Sequence, residues 1–165
     1  DEVNRHNPTP ALGTIEATNP CGEVPLLPWE ACTLGSINVA RFWREDAHDL
    51  DWEALAQTVA LGVRFLDNIV EANHFPLPEI AEAVRGNRKI GLGVMGFADL
   101  LIAAGLAYDS EAALALGRRL ATEIGRAADA ELPPRLAVIV RRQPHYVNYL
   151  RVQRDTHSKA VIFRQ

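Results

Sequence analysis

The spacing of apolar residues predicts a long helix in the middle of the chain. From Asp51 to about His74 the apolar positions recur at helical spacing, and Asp49 or Asp51 can cap the first turn. The positions of this stripe are Leu55, Val59, Val63, Leu66, Ile69 and Val70. A continuous apolar stripe of this kind indicates a face that packs into the core rather than a cofactor site.

Three further helices are predicted over residues 79–85, 97–104 and about 110–130. Gly86 and Gly105 are interpreted as the stops of the first two, and Asp109 or Ser110 as the cap of the third. A turn or short strand rich in glycine separates the first two helices.

The first 45 or so residues form a contrasting segment, rich in proline, asparagine and glycine, which predicts loop and extended chain. Residues 12–16 and 34–39 are short apolar runs of strand-like length within it. Because helices and short extended pieces alternate along the chain, the sequence predicts an α/β fold.

Composition narrows the class of protein. The 165 residues are 48% hydrophobic and 23% charged, as expected for one globular domain. A net charge of −4 argues against a direct nucleic-acid partner, which requires a basic face. No apolar run reaches the length of a membrane span, and the polar start is unlike a secretory leader, so a cytoplasmic protein without membrane contact is expected.

Charge is distributed unevenly and predicts a boundary. Residues 1–130 carry a net charge of −9, whereas residues 131–165 carry +5, and the helical period stops at Leu132-Pro133-Pro134. The sequence therefore predicts two parts, residues 1–131 and a basic tail of residues 132–165. The tail is interpreted as disordered or frameshifted sequence.

Candidate chemistry centres on the cysteines, Cys21 and Cys32, which are too few for a disulfide scaffold and have no histidine between them for a zinc site. In extended chain Asn19, Cys21 and Glu23 would point to one side and span roughly 13 Å. An amide, a thiol and a carboxylate presented together suit a small polyol substrate. From the residues alone, buried apolar cysteines are the favoured interpretation.

Longer stretches resemble a known family. Asn7-Pro8-Thr9-Pro10, residues 15–23 with Asn19-Pro20-Cys21-Gly22-Glu23, and then Cys32 with residues 34–38 resemble the large subunit of ribonucleotide reductases. Residues 88–101 are similar to a second segment of that family. A second cysteine eleven residues after the first is typical of the adenosylcobalamin-dependent form. The resemblance implies a partial segment of the family's ten-stranded α/β barrel, with the loop of residues 19–23 inside it.

The resemblance also implies roles for four residues. Cys21 would become a thiyl radical that takes the 3′ hydrogen of the ribose, and Glu23 would accept the proton of the 3′-hydroxyl. Asn19 would hold the substrate hydroxyls, and Cys32 matches one member of the reducing cysteine pair.

The implied cofactor is adenosylcobalamin, although no site for it is identifiable in this chain. The implied partners are a ribonucleotide substrate and, in the intact enzyme, a dithiol reductant such as thioredoxin or glutaredoxin. An open barrel fragment exposes strand edges, so association, for example as a homodimer, is also expected.

Two alternatives stay open. The chain has no third cysteine to complete the reducing pair, so it is expected to be inactive alone, and a non-catalytic remnant or partner-binding fragment is the first alternative. The second is a dinucleotide-binding domain, because Gly91, Gly93 and Gly96 satisfy G-x-G-x-x-G. The polar residues 85–89 before these glycines argue against the buried strand that such a domain requires. The scattered histidines do not predict a metal site.

Overall fold

The computed structural model describes residues 2–5, 7, 9–19, 22 and 24–131. The predictions for the tail of residues 132–165 lie outside the described residues. None of the helices in the described part is long and apolar enough to cross a membrane.

Helices and short strands alternate along the described chain. The helices are α1 (Glu2–Arg5), α2 (Trp52–Ala72), α3 (Pro78–Asn87), α4 (Phe97–Ala103) and α5 (Glu111–Glu131), with a 3₁₀ helix at Val39–Phe42. The strands are β1 (Ala17–Thr18), β2 (Pro25–Leu26), β3 (Thr33–Asn38), β4 (Trp43–Arg44), β5 (Asp49–Leu50) and β6 (Ile90–Met95). This content is that of an α/β fragment, and the described strands do not close into a barrel.

The predicted central helix is confirmed as α2. The side chain of Asp51 accepts a hydrogen bond from the backbone N–H of Ala54 at 3.0 Å, which satisfies one of the free donors of the first turn. Five of the six stripe positions are buried, and Ile69 is half-buried. The apolar face of α2 therefore packs into the core as its spacing predicts.

The predicted end of α3 is wrong. Gly86 lies inside the helix, which runs on to Asn87 and ends at Arg88 in the left-handed conformation with φ +50°. The guanidinium of Arg88 is buried against the carboxylate of Asp67 on α2 at 2.6 Å. This long-range ion pair, which no local pattern reveals, fixes the end of the helix.

The two later helices agree with their predicted signals. Gly105 follows α4 with φ +67°, and the hydroxyl of Ser110 accepts a hydrogen bond from the N–H of Ala113 at the start of α5. Both helices therefore begin and end within a residue or two of the predicted bounds.

Of the two predicted strands, residues 34–39 are confirmed as β3, whereas residues 12–16 do not form a strand. The amide of Asn4 exchanges two hydrogen bonds with the backbone of Ile15, at 2.8 and 3.0 Å. Because a side chain satisfies this backbone, the segment needs no partner strand. The short strands β1, β2, β4 and β5 were not predicted.

The core lies between α2 and a parallel pair of strands. β3 pairs with β6 in the register Thr33↔Ile90 through Asn38↔Met95. A Cβ atom added to Gly35 of β3 would touch Leu66 at 3.5 Å, so α2 lies directly over the sheet. The buried cluster comprises Ile37, Val39, Leu50, Leu55, Val59, Val94, Leu100 and Leu120.

Candidate active site

The loop that contains Asn19 is the tip of a β-hairpin. β1 and β2 pair antiparallel, with Ala17 opposite Leu26 and Thr18 opposite Pro25, so residues 19–24 connect them. The amide oxygen of Asn19 accepts a hydrogen bond from the N–H of Val24 at 2.9 Å, across the loop. Asn19 therefore holds the base of the loop closed.

A backbone hydrogen bond within this loop joins Asn19 and Gly22. The N–H of Gly22 donates to the backbone oxygen of Asn19 at 3.0 Å, which is the hydrogen bond of a β-turn. Asparagine in the first position, proline in the second and glycine in the fourth favour such a turn, and Gly22 has φ +79°. The predicted presentation of the Asn19, Cys21 and Glu23 side chains on one side stays a prediction, because Cys21 and Glu23 lie outside the described residues.

Of the four residues predicted for the site, Asn19 and Cys32 are described, whereas Cys21 and Glu23 lie outside the described residues. Asn19 is half-buried, and no hydrogen bond within the described part of the chain links it to Cys32. The roles of Cys21 and Glu23 stay predictions.

Cys32 lies immediately before β3 as a free, half-buried thiol whose sulfur is 3.8 Å from the backbone oxygen of Thr33. Burial raises its pKa to about 11, while the nearby charge of Lys89 lowers this pKa and that of Glu30 raises it. At neutral pH Cys32 is thus a protonated thiol, which can give up hydrogen but is a weak nucleophile.

The buried polar cluster next to Cys32 was not predicted from the sequence. The carboxylate of Glu30, whose side chain is 2% exposed, accepts from the ammonium of Lys89 at 2.5 Å and from the N–H of Leu27 at 2.7 Å. It also accepts from the side-chain amide of Asn87. Had the sequence predicted that residues 33–38 pair in parallel with residues 90–95, the cluster could have been expected. This pairing brings the segment before residue 33 close to Lys89.

The parallel pairing also joins the two longest stretches that suggested the family. Cys32 and β3 come from the first, and β6 and α4 come from the second, residues 88–101. These segments are separated by more than 50 positions in the sequence, yet they lie side by side. The structure thus brings Cys32 next to the second block.

The glycine pattern does not match a dinucleotide site. Gly91 and Gly93 lie inside β6, and Gly96 follows the strand with φ +73° at the start of α4. In a dinucleotide-binding fold the glycines form a loop after the strand, where a backbone turn meets the phosphates. Gly91 and Gly93 instead form part of the sheet.

No group of three or more His, Cys, Asp or Glu side chains within the described part of the chain could hold a metal ion.

Most of the chain is similar in sequence to one family of known proteins. Residues 1–131 match the family described as ribonucleotide reductase, barrel domain. A vitamin B12-dependent ribonucleoside-diphosphate reductase of Mycobacterium tuberculosis is 54% identical over 128 residues, which are 78% of this chain and 18% of that protein. Its counterpart in Thermoplasma acidophilum is 50% identical over 120 residues, 73% of this chain and 16% of that protein.

A third relative aligns over more of the chain. The vitamin B12-dependent ribonucleotide reductase of Streptomyces coelicolor is 30% identical over a gapped alignment of 171 positions, which covers 98% of this chain and 18% of that protein. The chain thus spans less than a fifth of the length of these relatives. With a family match over residues 1–131 and relatives at 50% and 54% identity, the chain belongs to the ribonucleotide reductase barrel domain family.

Proposed function

We propose that this chain is a segment of the catalytic subunit of a vitamin B12-dependent ribonucleotide reductase, an enzyme that converts ribonucleotides to 2′-deoxyribonucleotides. The observation that carries the proposal is the parallel pairing of β3 with β6, which puts Cys32 beside the second family segment. In this proposal β3 and β6 are neighbouring strands of a ten-stranded barrel whose other strands belong to the rest of the subunit.

The proposed reaction uses the four candidate residues in turn. A thiyl radical on Cys21 takes the 3′ hydrogen and returns it at the end of turnover, which restores the radical on the sulfur. Glu23 accepts the proton of the 3′-hydroxyl, and the 2′-hydroxyl leaves as water. Two electrons and two protons come from Cys32 and a second cysteine outside this chain, whose sulfurs form a disulfide. Since the oxygen of Asn19 is bonded to Val24, its amide nitrogen is the group that would donate to a substrate hydroxyl.

The proposed cofactor is adenosylcobalamin, which would supply the radical that oxidises Cys21. The described residues do not fit it as a complete site, because they include no group of metal ligands and the two described histidines, His48 and His74, are both exposed. We therefore assign none of them to the cofactor.

The proposed partners are a ribonucleotide and a thioredoxin- or glutaredoxin-type dithiol that reduces the disulfide. Homodimerisation and a cytoplasmic location complete this proposal. The described helices, none of which could span a membrane, are compatible with that location.

The barrel segment is proposed to end near residue 131. The family match stops at this residue, and the net charge changes from −9 over residues 1–130 to +5 over residues 131–165. The alignment with the S. coelicolor protein continues past this point at its lower identity of 30%. The tail is thus proposed as a separate part of the chain.

A graft tests the proposal. Residues 1–131 replace the matching segment of the M. tuberculosis relative, and deoxynucleotide formation is measured with adenosylcobalamin and a dithiol. The unaltered graft should turn over, and Cys21→Ser should abolish turnover because a hydroxyl does not readily carry the radical. Thr14→Ala, which removes an exposed hydroxyl outside the hairpin loop, is the matched control and should keep full activity.

A second variant of the graft tests the proposed base. Glu23→Gln should lower turnover by roughly 10² to 10⁴, the usual range for a lost general base. A change below about threefold would assign Glu23 a structural role. An inactive unaltered graft would favour the alternative, a non-catalytic fragment that binds a partner.

A further inference from the structure

The ion pair of Glu30 and Lys89 is held in an unusually protected place for two charged groups. The side chains of Glu30 and Lys89 are only 2% and 13% exposed, and their charged atoms are 2.5 Å apart. Glu30 also accepts from Leu27 and Asn87, so the carboxylate has three donors around it. Buried charges are retained only where partners compensate for lost water, as they do here.

This ion pair flanks Cys32. Thr33 pairs with Ile90, so Cys32 and Lys89 each immediately precede the first pair of two strands that lie about 4.8 Å apart. Glu30 lies two residues before Cys32 on the same segment. The neighbouring cation, Arg88, is bound to Asp67 and Glu71 on α2, which leaves Lys89 and Glu30 as the charges that act on the sulfur.

We propose that Lys89 and Glu30 are positioning residues for Cys32. Their ion pair fixes the segment before β3 to the start of β6, and the ammonium of Lys89 stabilises negative charge on the Cys32 sulfur. The inference rests on the proposed function of Cys32 as one of the two reducing thiols.

The step that needs this stabilisation is reduction of the Cys32 disulfide. A thiolate of an external dithiol attacks the sulfur of the second cysteine, and Cys32 leaves as a thiolate with the electrons of the broken S–S bond. The second thiol of the reductant then displaces the second cysteine, so the reductant becomes a disulfide and both protein sulfurs take up a proton. Lys89 favours the departing thiolate, since a thiol that ionises more easily leaves faster.

The test uses the full 165-residue chain with Cys21→Ser, which leaves Cys32 as its only thiol. The rate of alkylation by iodoacetamide at pH 9 reports how readily Cys32 ionises. Below the pKa of Cys32, a rise of one pKa unit lowers the thiolate fraction tenfold. A thiolate of higher pKa is also a stronger nucleophile, which offsets part of this loss, so the alkylation rate falls roughly threefold.

Replacement of Lys89 and replacement of Glu30 should change the alkylation rate of Cys32 in opposite directions. Lys89→Gln should slow alkylation up to roughly threefold, Lys89→Arg should keep the wild-type rate, and Glu30→Gln should speed it. The double variant Glu30→Gln/Lys89→Gln leaves no unpaired buried charge and should react more slowly than Glu30→Gln alone, because the ammonium near the sulfur is lost. Circular dichroism identifies which variants are folded.

A purely structural role predicts the reverse for Lys89, since loosening the segment exposes the thiol and speeds alkylation. A folded Lys89→Gln variant that reacts as fast as wild type or faster, or a folded double variant that reacts as fast as Glu30→Gln or faster, would overturn the inference. Because this readout needs no reductase activity, an inactive graft would refute only the proposed function.

Discussion

At Cys32 the protein surroundings, rather than the residue type, decide the chemistry. A free thiol with an ordinary pKa of 9.0 would be partly ionised in mild alkali, whereas burial raises the pKa of Cys32 to about 11. The sequence shows only that a cysteine is present. Its ionisation depends on packing and on Lys89, which is 57 positions away in the chain.

This raised pKa predicts a loss of stability in alkali. The folded state binds the Cys32 proton more tightly than the unfolded state does. The protonated thiol therefore makes its full contribution to folding stability below pH 9, and this contribution is lost as pH rises through 11. A shift of this size corresponds to about 2–3 kcal/mol. Urea unfolding at pH 8 and pH 11 should show a larger loss of stability for the Cys21→Ser chain than for the same chain with Cys32→Ser. Equal losses in both chains would contradict the prediction.

At the scale of elements, Gly96 is required where β6 turns into α4. Its φ of +73° is unfavourable for other residues, and an added Cβ would overlap the amide oxygen of Asn38. Gly96→Ala should therefore lower the free energy of unfolding by about 2 kcal/mol or more. The measurement is urea unfolding of the full chain.

Gly86 supplies the matched control for this prediction. It lies inside α3, and an added Cβ would meet no atom within 4 Å. Gly86→Ala should leave the free energy of unfolding unchanged or raise it by up to about 1 kcal/mol, because alanine favours helix. Similar losses at both positions would show that the contact with Asn38 does not matter.

Elements with a local signal were predictable from sequence, and those formed by distant contacts were not. α2 and α5 have caps and several turns of helical spacing, so local residues suffice to define them. β1 and β2 have two residues each, too few to show a period, and only their pairing reveals the hairpin. The motif of residues 19–23 suggested the candidate site, whose residue roles stay predictions, whereas the Glu30–Lys89 pair depends on a contact between distant residues that no local pattern encodes.

At the scale of the whole molecule, the sheet of β3 and β6 is open. In the described part of the chain each of these strands pairs only with the other, so both outer edges lack a strand partner. Leu34 and Met95 on these strands are also about half exposed, at 48% and 54%. Open edges and exposed apolar side chains are what a segment of a larger barrel would present before its neighbours cover them.

The last prediction is that the isolated chain forms no deoxynucleotide. The proposed reaction needs one sulfur for the radical and two more for the disulfide, but the chain has only Cys21 and Cys32. With Cys21 assigned to the radical, Cys32 has no partner, so a substrate radical could not receive both electrons. Incubation of the chain with a ribonucleoside diphosphate, adenosylcobalamin and a dithiol should give no product above a protein-free blank.

The intact M. tuberculosis relative is the positive control for that assay, and a graft carrying residues 1–131 separates two causes of inactivity. An active graft beside an inactive isolated chain would show that the segment is competent and lacks only what the rest of the subunit supplies. Deoxynucleotide formation by the isolated chain would instead mean that the dithiol itself replaces the second cysteine. The proposed pairing of Cys32 with a sulfur elsewhere in the subunit would then be unnecessary for reduction.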